Sequence, residues 1–87
     1  MSKLNEKQVA LTLGTFAALM HLVWSILVAT GVAQGLVNWS IELHMMAFQI
    51  TVGAFSLVSA IELIVVAFII GSAVGFVFAT IWNKFSE

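Results

Sequence analysis

Two ionisable side chains stand inside long apolar runs, and they are where chemistry should be sought first. His21 lies within Val9–Thr30, and Glu62 lies within Leu57–Trp82. An ionisable group in hydrocarbon is expensive without a partner, which makes both candidates for function. At about 100° per residue His21 shares a helix side with Ala10, Gly14, Ala17 and Ser25, so it should face protein. Histidine exchanges protons near neutral pH, and Glu62 is expected one to two turns outward of it. Ser25 and Ser59, one turn outward of each, could hold bridging waters, which gives a proton or cation relay through His21 and Glu62. The inward path runs past Ala17, Gly14 and Ala10, none of which has a polar side chain. Thr12 and Thr15 lie at that depth but point elsewhere. The expectation is a neutral packing histidine bonded to a carbonyl or hydroxyl, with the relay as the alternative.

Other chemistry is sparse. His44-Met45-Met46 offers ligands that suit Cu(I), but adjacent residues do not share a helix face and cannot close one site on a regular helix. Cysteine is absent, so a thiolate site is impossible. Ala17 and His21 have the Ala-xxx-His spacing of bacterial light-harvesting polypeptides, but the similarity covers five residues and those chains span once. A b-type haem would need two axial histidines, from two copies of His21 or from His44 as well. No metal, pigment or other cofactor is expected. Neither a nucleophile–base pair nor a phosphate loop is visible, so an enzyme is not expected. A formal net charge of −1 supplies no field for nucleic acid.

The elements that must position these residues are membrane spans. A hydrophobic fraction of 62% with only 8% charge is far from globular composition, and bilayer solvent explains it. Val9–Thr30 has the length of one crossing, and Leu57–Trp82 exceeds the ~30 Å hydrocarbon core. The first run is longer than the apolar region of a signal peptide and reads as an uncleaved span. In the second, Ala67, Gly71, Gly75 and Ala79 recur every fourth residue along one side, a Gly-xxx-Gly stripe of the kind that lets helix backbones approach. Glu62 shares the opposite side with Ser59, Ile69, Ala73 and Thr80. The first helix can cover only one of these sides, which argues for self-association or a partner subunit.

Asn5 and Ser56 are N-cap candidates, and Gly31 is a natural stop for the first helix. Between the spans, residues 36–50 have helical periodicity, with Leu36, Trp39, Leu43, Met46, Ala47 and Ile50 on one side. About fifteen residues are too few to cross, so an interfacial amphipathic helix is expected, followed by a turn or extended segment from Thr51 to Ser56. Lys3, Lys7 and Lys84 all lie near the chain ends, which predicts cytoplasmic termini. Trp39 and Trp82 then fall at opposite boundaries, and Glu62 lies near the outer one.

The string Ala60-Ile-Glu62-Leu-Ile-Val-Val-Ala67 looks similar to the ion-carrying region of rotary ATP synthase ring subunits. The first span lacks their glycine ladder and the connection lacks their polar loop, so that relation is rejected. A phage-type holin is a third possibility, but the strongly charged tail of that class is missing. The chain resembles small uncharacterised prokaryotic two-span membrane proteins in His21-x-x-Trp24 and in Phe78-Ala79-Thr80-Ile81-Trp82-Asn83. That resemblance implies a prokaryotic plasma membrane and carries no activity. The resulting expectation is an all-α integral membrane hairpin (spans about 9–30 and 57–82, interfacial helix about 36–50). It would act as a small oligomerising or accessory subunit packed through the span-two stripe and Gly14.

Overall fold

A computed structural model describes residues 2–86. The described chain is helical, with α1 at Glu6–Thr30, α2 at Val32–Leu43 and α3 at Leu57–Phe85. α1 and α3 are long and apolar enough to cross a membrane. They lie side by side and antiparallel, because Gly75 meets Val9 and Ala10 while Gly71 meets Leu13, Gly14 and Ala17. The molecule measures 47 × 33 × 14 Å, so it is one helical layer thick. Large apolar side chains cover its outside, including Phe16, Leu19, Ile26, Ile69, Ile70 and Phe76. What α1 and α3 bury is small: Gly14 and Ser25 on α1, and Ala67, Gly75 and Ala79 on α3.

Helix boundaries follow local chemistry. The Asn5 side chain accepts from the Gln8 amide at 2.9 Å, which starts α1 ahead of the apolar run itself. Gly31 ends it at φ 84°, a left-handed conformation that glycine adopts without strain, and its amide returns to the Val28 carbonyl. The same Gly31 is the N-cap of α2, so one residue turns the chain from one helix into the next. Ser56 opens α3 by accepting from the Ser59 amide, and Lys84 stands in its last turn, where a cation complements the helix dipole.

The connecting helix differs from the expected segment 36–50. It begins at Val32 and stops at Leu43. It stops because Met45 takes φ 58° while its amide bonds Glu42 and the Met46 amide bonds Ile41, the paired bonds of a Schellman ending. Glycine normally marks that ending, and here a methionine fills it. Residues 46–56 then run without helix or strand. On α2, Ala33 and Ile41 are buried and Val37 half-buried, while Leu36, Trp39 and Leu43 are exposed.

The α1–α3 contact depends on missing side chains. A Cβ on Gly75 would lie 2.8 Å from the Val9 carbonyl oxygen and 3.0 Å from the Ala10 Cα. One on Gly71 would lie 2.9 Å from both the Ala17 Cβ and the Leu13 carbonyl oxygen. One on Gly14 would sit 2.9 Å from the Phe68 carbonyl oxygen and would displace the Ser72 hydroxyl. Backbones this close gain dispersion and weak Cα–H···O contacts that larger residues would prevent. Gly71→Ile and Gly75→Ile should therefore each destabilise the α1–α3 pair by about 1–3 kcal/mol through overpacking. Gly35→Ala, where a Cβ meets nothing within 4 Å, should do no harm. Denaturant titration in detergent, followed by tryptophan fluorescence, checks this, and wild-type resistance in Gly75→Ile would refute the packing argument.

Candidate functional site

The four small residues of the α3 stripe, Ala67, Gly71, Gly75 and Ala79, all face α1 of the same chain. Ala79 is fully buried and Ala67 nearly so. Gly14 is their counterpart on α1, with the Ser72 hydroxyl seated where its side chain would be. That hydroxyl is buried without a hydrogen-bond partner. The stripe is thus filled within one chain. The opposite side of α3, with Ser59, Glu62, Ile69 and Ala73, is exposed along its length.

His21 is half-buried on α1, and its Nδ1 lies 2.7 Å from the Ala17 carbonyl oxygen. A carbonyl only accepts, so Nδ1 carries the hydrogen and, in the neutral ring, Nε2 keeps a bare lone pair. Ser25 is buried one turn on, and its hydroxyl donates to the His21 carbonyl at 2.8 Å. Met20, Trp24 and Leu63 complete an open groove around the imidazole, of about 440 Å³. Glu62 is exposed and makes no hydrogen bond or ion pair among the described residues. No hydrogen bond or ion pair joins His21 to Glu62. Ser25 and Ser59 do converge, since both line a cavity of about 370 Å³ under the connecting segment, with Thr51 and Ser56. Trp24 and Leu63 line both hollows, so the hydroxyl-lined cavity borders the histidine groove.

Two carboxamides do work that the sequence did not announce. At the end where both termini lie, Asn83 Oδ1 accepts from the Leu4 amide at 2.6 Å and Asn83 Nδ2 donates to the Leu4 carbonyl at 2.8 Å. The Trp82 indole N–H donates to the Ser2 carbonyl, and the Thr80 hydroxyl donates to the Glu6 carboxylate at 2.6 Å. At the other end, Gln34 Nε2 donates to the Ile50 carbonyl while its Oε1 accepts from the Val52 amide at 2.7 Å. Each amide group satisfies a backbone donor and a backbone acceptor, as a neighbouring strand would. Gln34 thereby holds the connecting segment against α2. Unpaired amides at the ends of apolar runs were the available sequence signal.

His44 closes α2, with Nδ1 2.5 Å from the Ser40 carbonyl oxygen. Its neighbour Met45 is 93% exposed. Among the described residues no group of three or more His, Cys, Asp or Glu side chains comes together. Compared with known protein families, with characterised proteins and with solved structures, the chain matches none.

Asn83→Ala should remove both bonds to Leu4 and cost about 1–3 kcal/mol, with the loss concentrated at the chain ends. Hydrogen exchange at the Leu4 amide should accelerate while the Gly14–Gly71 region keeps its protection. Unchanged exchange at Leu4 would mean that the clamp holds nothing.

Proposed function

We propose that this chain is a two-span membrane hairpin that serves as a small oligomerising or accessory subunit and meets its neighbours through the Glu62 side of α3. The observation that carries the reading is the filled stripe. α1 already occupies the small side of α3, so a second helix has to use another surface. The Glu62 side combines an exposed carboxylate that has no hydrogen-bond or ion-pair partner among the described residues with the exposed Ile69 and Ala73 further along the helix. An ionisable group near hydrocarbon is stabilised by a partner. The one-layer shape supports the same reading, since a single layer of two helices encloses no interior of its own.

The proton or cation conduit has less support. Between α1 and α3 the backbones at Gly71 and Gly75 leave no room for water, and His21 and Glu62 are not joined. Any path would have to form between copies. The holin reading gains nothing from the geometry.

In this reading the clamp end, which carries Lys3, Lys7 and Lys84, faces the cytoplasm, and α2 with the connecting segment lies at the opposite surface. The native chain has no cysteine, so single cysteines report cleanly. Cysteines placed at Asn38 or Gln49 should react with an impermeant thiol reagent added outside cells, and those at Ser2 or Ser86 should not. Labelling of the termini from outside would invert the arrangement.

Native mass measurement of protein extracted gently with its neighbours tests the assembly. Wild type should be heavier than one chain, and Ala73→Trp or Glu62→Leu should reduce the assembled fraction while leaving helix content unchanged. A wild-type protein found only as single chains, with nothing attached, would end the subunit reading.

A further inference from the structure

We propose that the hollow beside the N-terminal segment binds one anionic phospholipid, with its phosphate at Lys3 and an acyl chain along α1. The hollow holds about 610 Å³, and Lys3, Asn5, Gln8, Val9, Leu13 and Phe78 are in its lining. Its chemistry is divided along the helix axis. The cation and the two carboxamides stand toward the chain end, and Val9 and Leu13 lie deeper along α1. The Thr12 hydroxyl, also in the wall, donates back to the Gln8 carbonyl at 2.8 Å, so its proton is already used. No carboxylate lines the hollow. A cation at the mouth of an apolar trough complements a molecule with an anionic head and a hydrocarbon tail.

Lys3 is held in this place. The Ser2 carbonyl accepts from the Trp82 indole at 2.8 Å, and Asn83 bonds both the amide and the carbonyl of Leu4. Chain ends stay loose unless they are tied down, and here the ties on either side of Lys3 fix it beside the hollow. Asn5 is in the lining and is also the N-cap of α1, so the positive end of that helix dipole favours an anion at the same place. Glu6 does not compete, because it lies outside the lining and its carboxylate accepts from Thr80. The depth fits as well. A second hollow shares Gln8 and Thr12 with the first and continues along α1 to Phe16 and Leu19. From Gln8 to Leu19 the helix rises about 16 Å, and one leaflet of a ~30 Å hydrocarbon core is about 15 Å deep. An acyl chain laid there reaches the bilayer middle while its phosphate stays at Lys3.

This proposal rests on the membrane reading of α1 and α3 and not on the subunit reading. The full chain in detergent is titrated with phosphatidylglycerol or with phosphatidylcholine of the same acyl chains, and native mass measurement counts the lipid retained. Wild type and Lys84→Gln should retain one phosphatidylglycerol saturably and in preference to phosphatidylcholine. Lys3→Gln should bind it about fivefold more weakly, the share of one lysine. Thr12→Trp, which fills the wall common to both hollows, should lose it with helix content unchanged. Equal retention of the two lipids, equal retention by Lys3→Gln and Lys84→Gln, or full retention by a folded Thr12→Trp would overturn the assignment. Paired chains without lipid would also overturn it, by placing a second copy in the hollow. Flotation of wild type with phosphatidylcholine vesicles separates this proposal from the reading beneath it. A chain that floats but fails the lipid titration loses only this site, and one that stays in the aqueous layer loses the membrane reading too.

Discussion

The distance between two backbones governs this molecule. α1 and α3 approach so closely at Gly14, Gly71 and Gly75 that a single added carbon would strike a carbonyl oxygen or a Cα. In water a two-helix layer gains stability by burying large apolar side chains, yet here those side chains point outward and the contact is made by the smallest ones. Such an interface draws little from the hydrophobic effect and much from dispersion and polar contact at short range, which is how helices associate in lipid. The outward array of Phe, Leu, Ile and Val belongs to two helices long and apolar enough to cross a membrane.

The close contact has no polar anchor of its own. Ser72 places a hydroxyl over Gly14 and leaves it unpaired. Register between α1 and α3 is fixed at the end where both termini lie, where Asn83 grips Leu4 and Thr80 bonds Glu6, while Gln34 fixes the connecting segment against α2. A smooth stripe of small residues tolerates sliding by a turn, because every fourth position offers the same surface. A carboxamide that must meet one N–H and one C=O does not tolerate it. The apolar seam supplies attraction and the amides supply position.

Much of this was legible in the residues. The two long runs, their caps at Asn5 and Ser56, the stop at Gly31 and the one-sided stripe all follow from periodicity and local chemistry. The position of His21 beside Ala17 and Ser25 follows from the same helical arithmetic. What was not legible depended on tertiary partners. The end of α2 lacks the glycine that usually announces it, because Met45 takes the left-handed turn. The extent of the connecting helix, Val32–Leu43 rather than 36–50, was likewise not written in the periodicity of the segment. Asn83 and Gln34 each look like ordinary boundary residues until the backbone segment each one holds is known. Which side α1 would cover was open as well, since both the stripe and the Glu62 side had the right periodicity.

The amide clamps differ in how much chain they enclose. Gln34 reaches residues 16 and 18 positions further on, so its bonds can close as soon as that short segment exists. Asn83 reaches back across 79 residues to Leu4, nearly the whole chain. The Asn83–Leu4 bonds can form only once α3 has been made, so of the two clamps this one locks later. Closing a loop that long carries more entropy than closing the short one. The Gln34 bonds therefore need only α2 and the connecting segment, whereas the Asn83 bonds wait until α1 and α3 are both present.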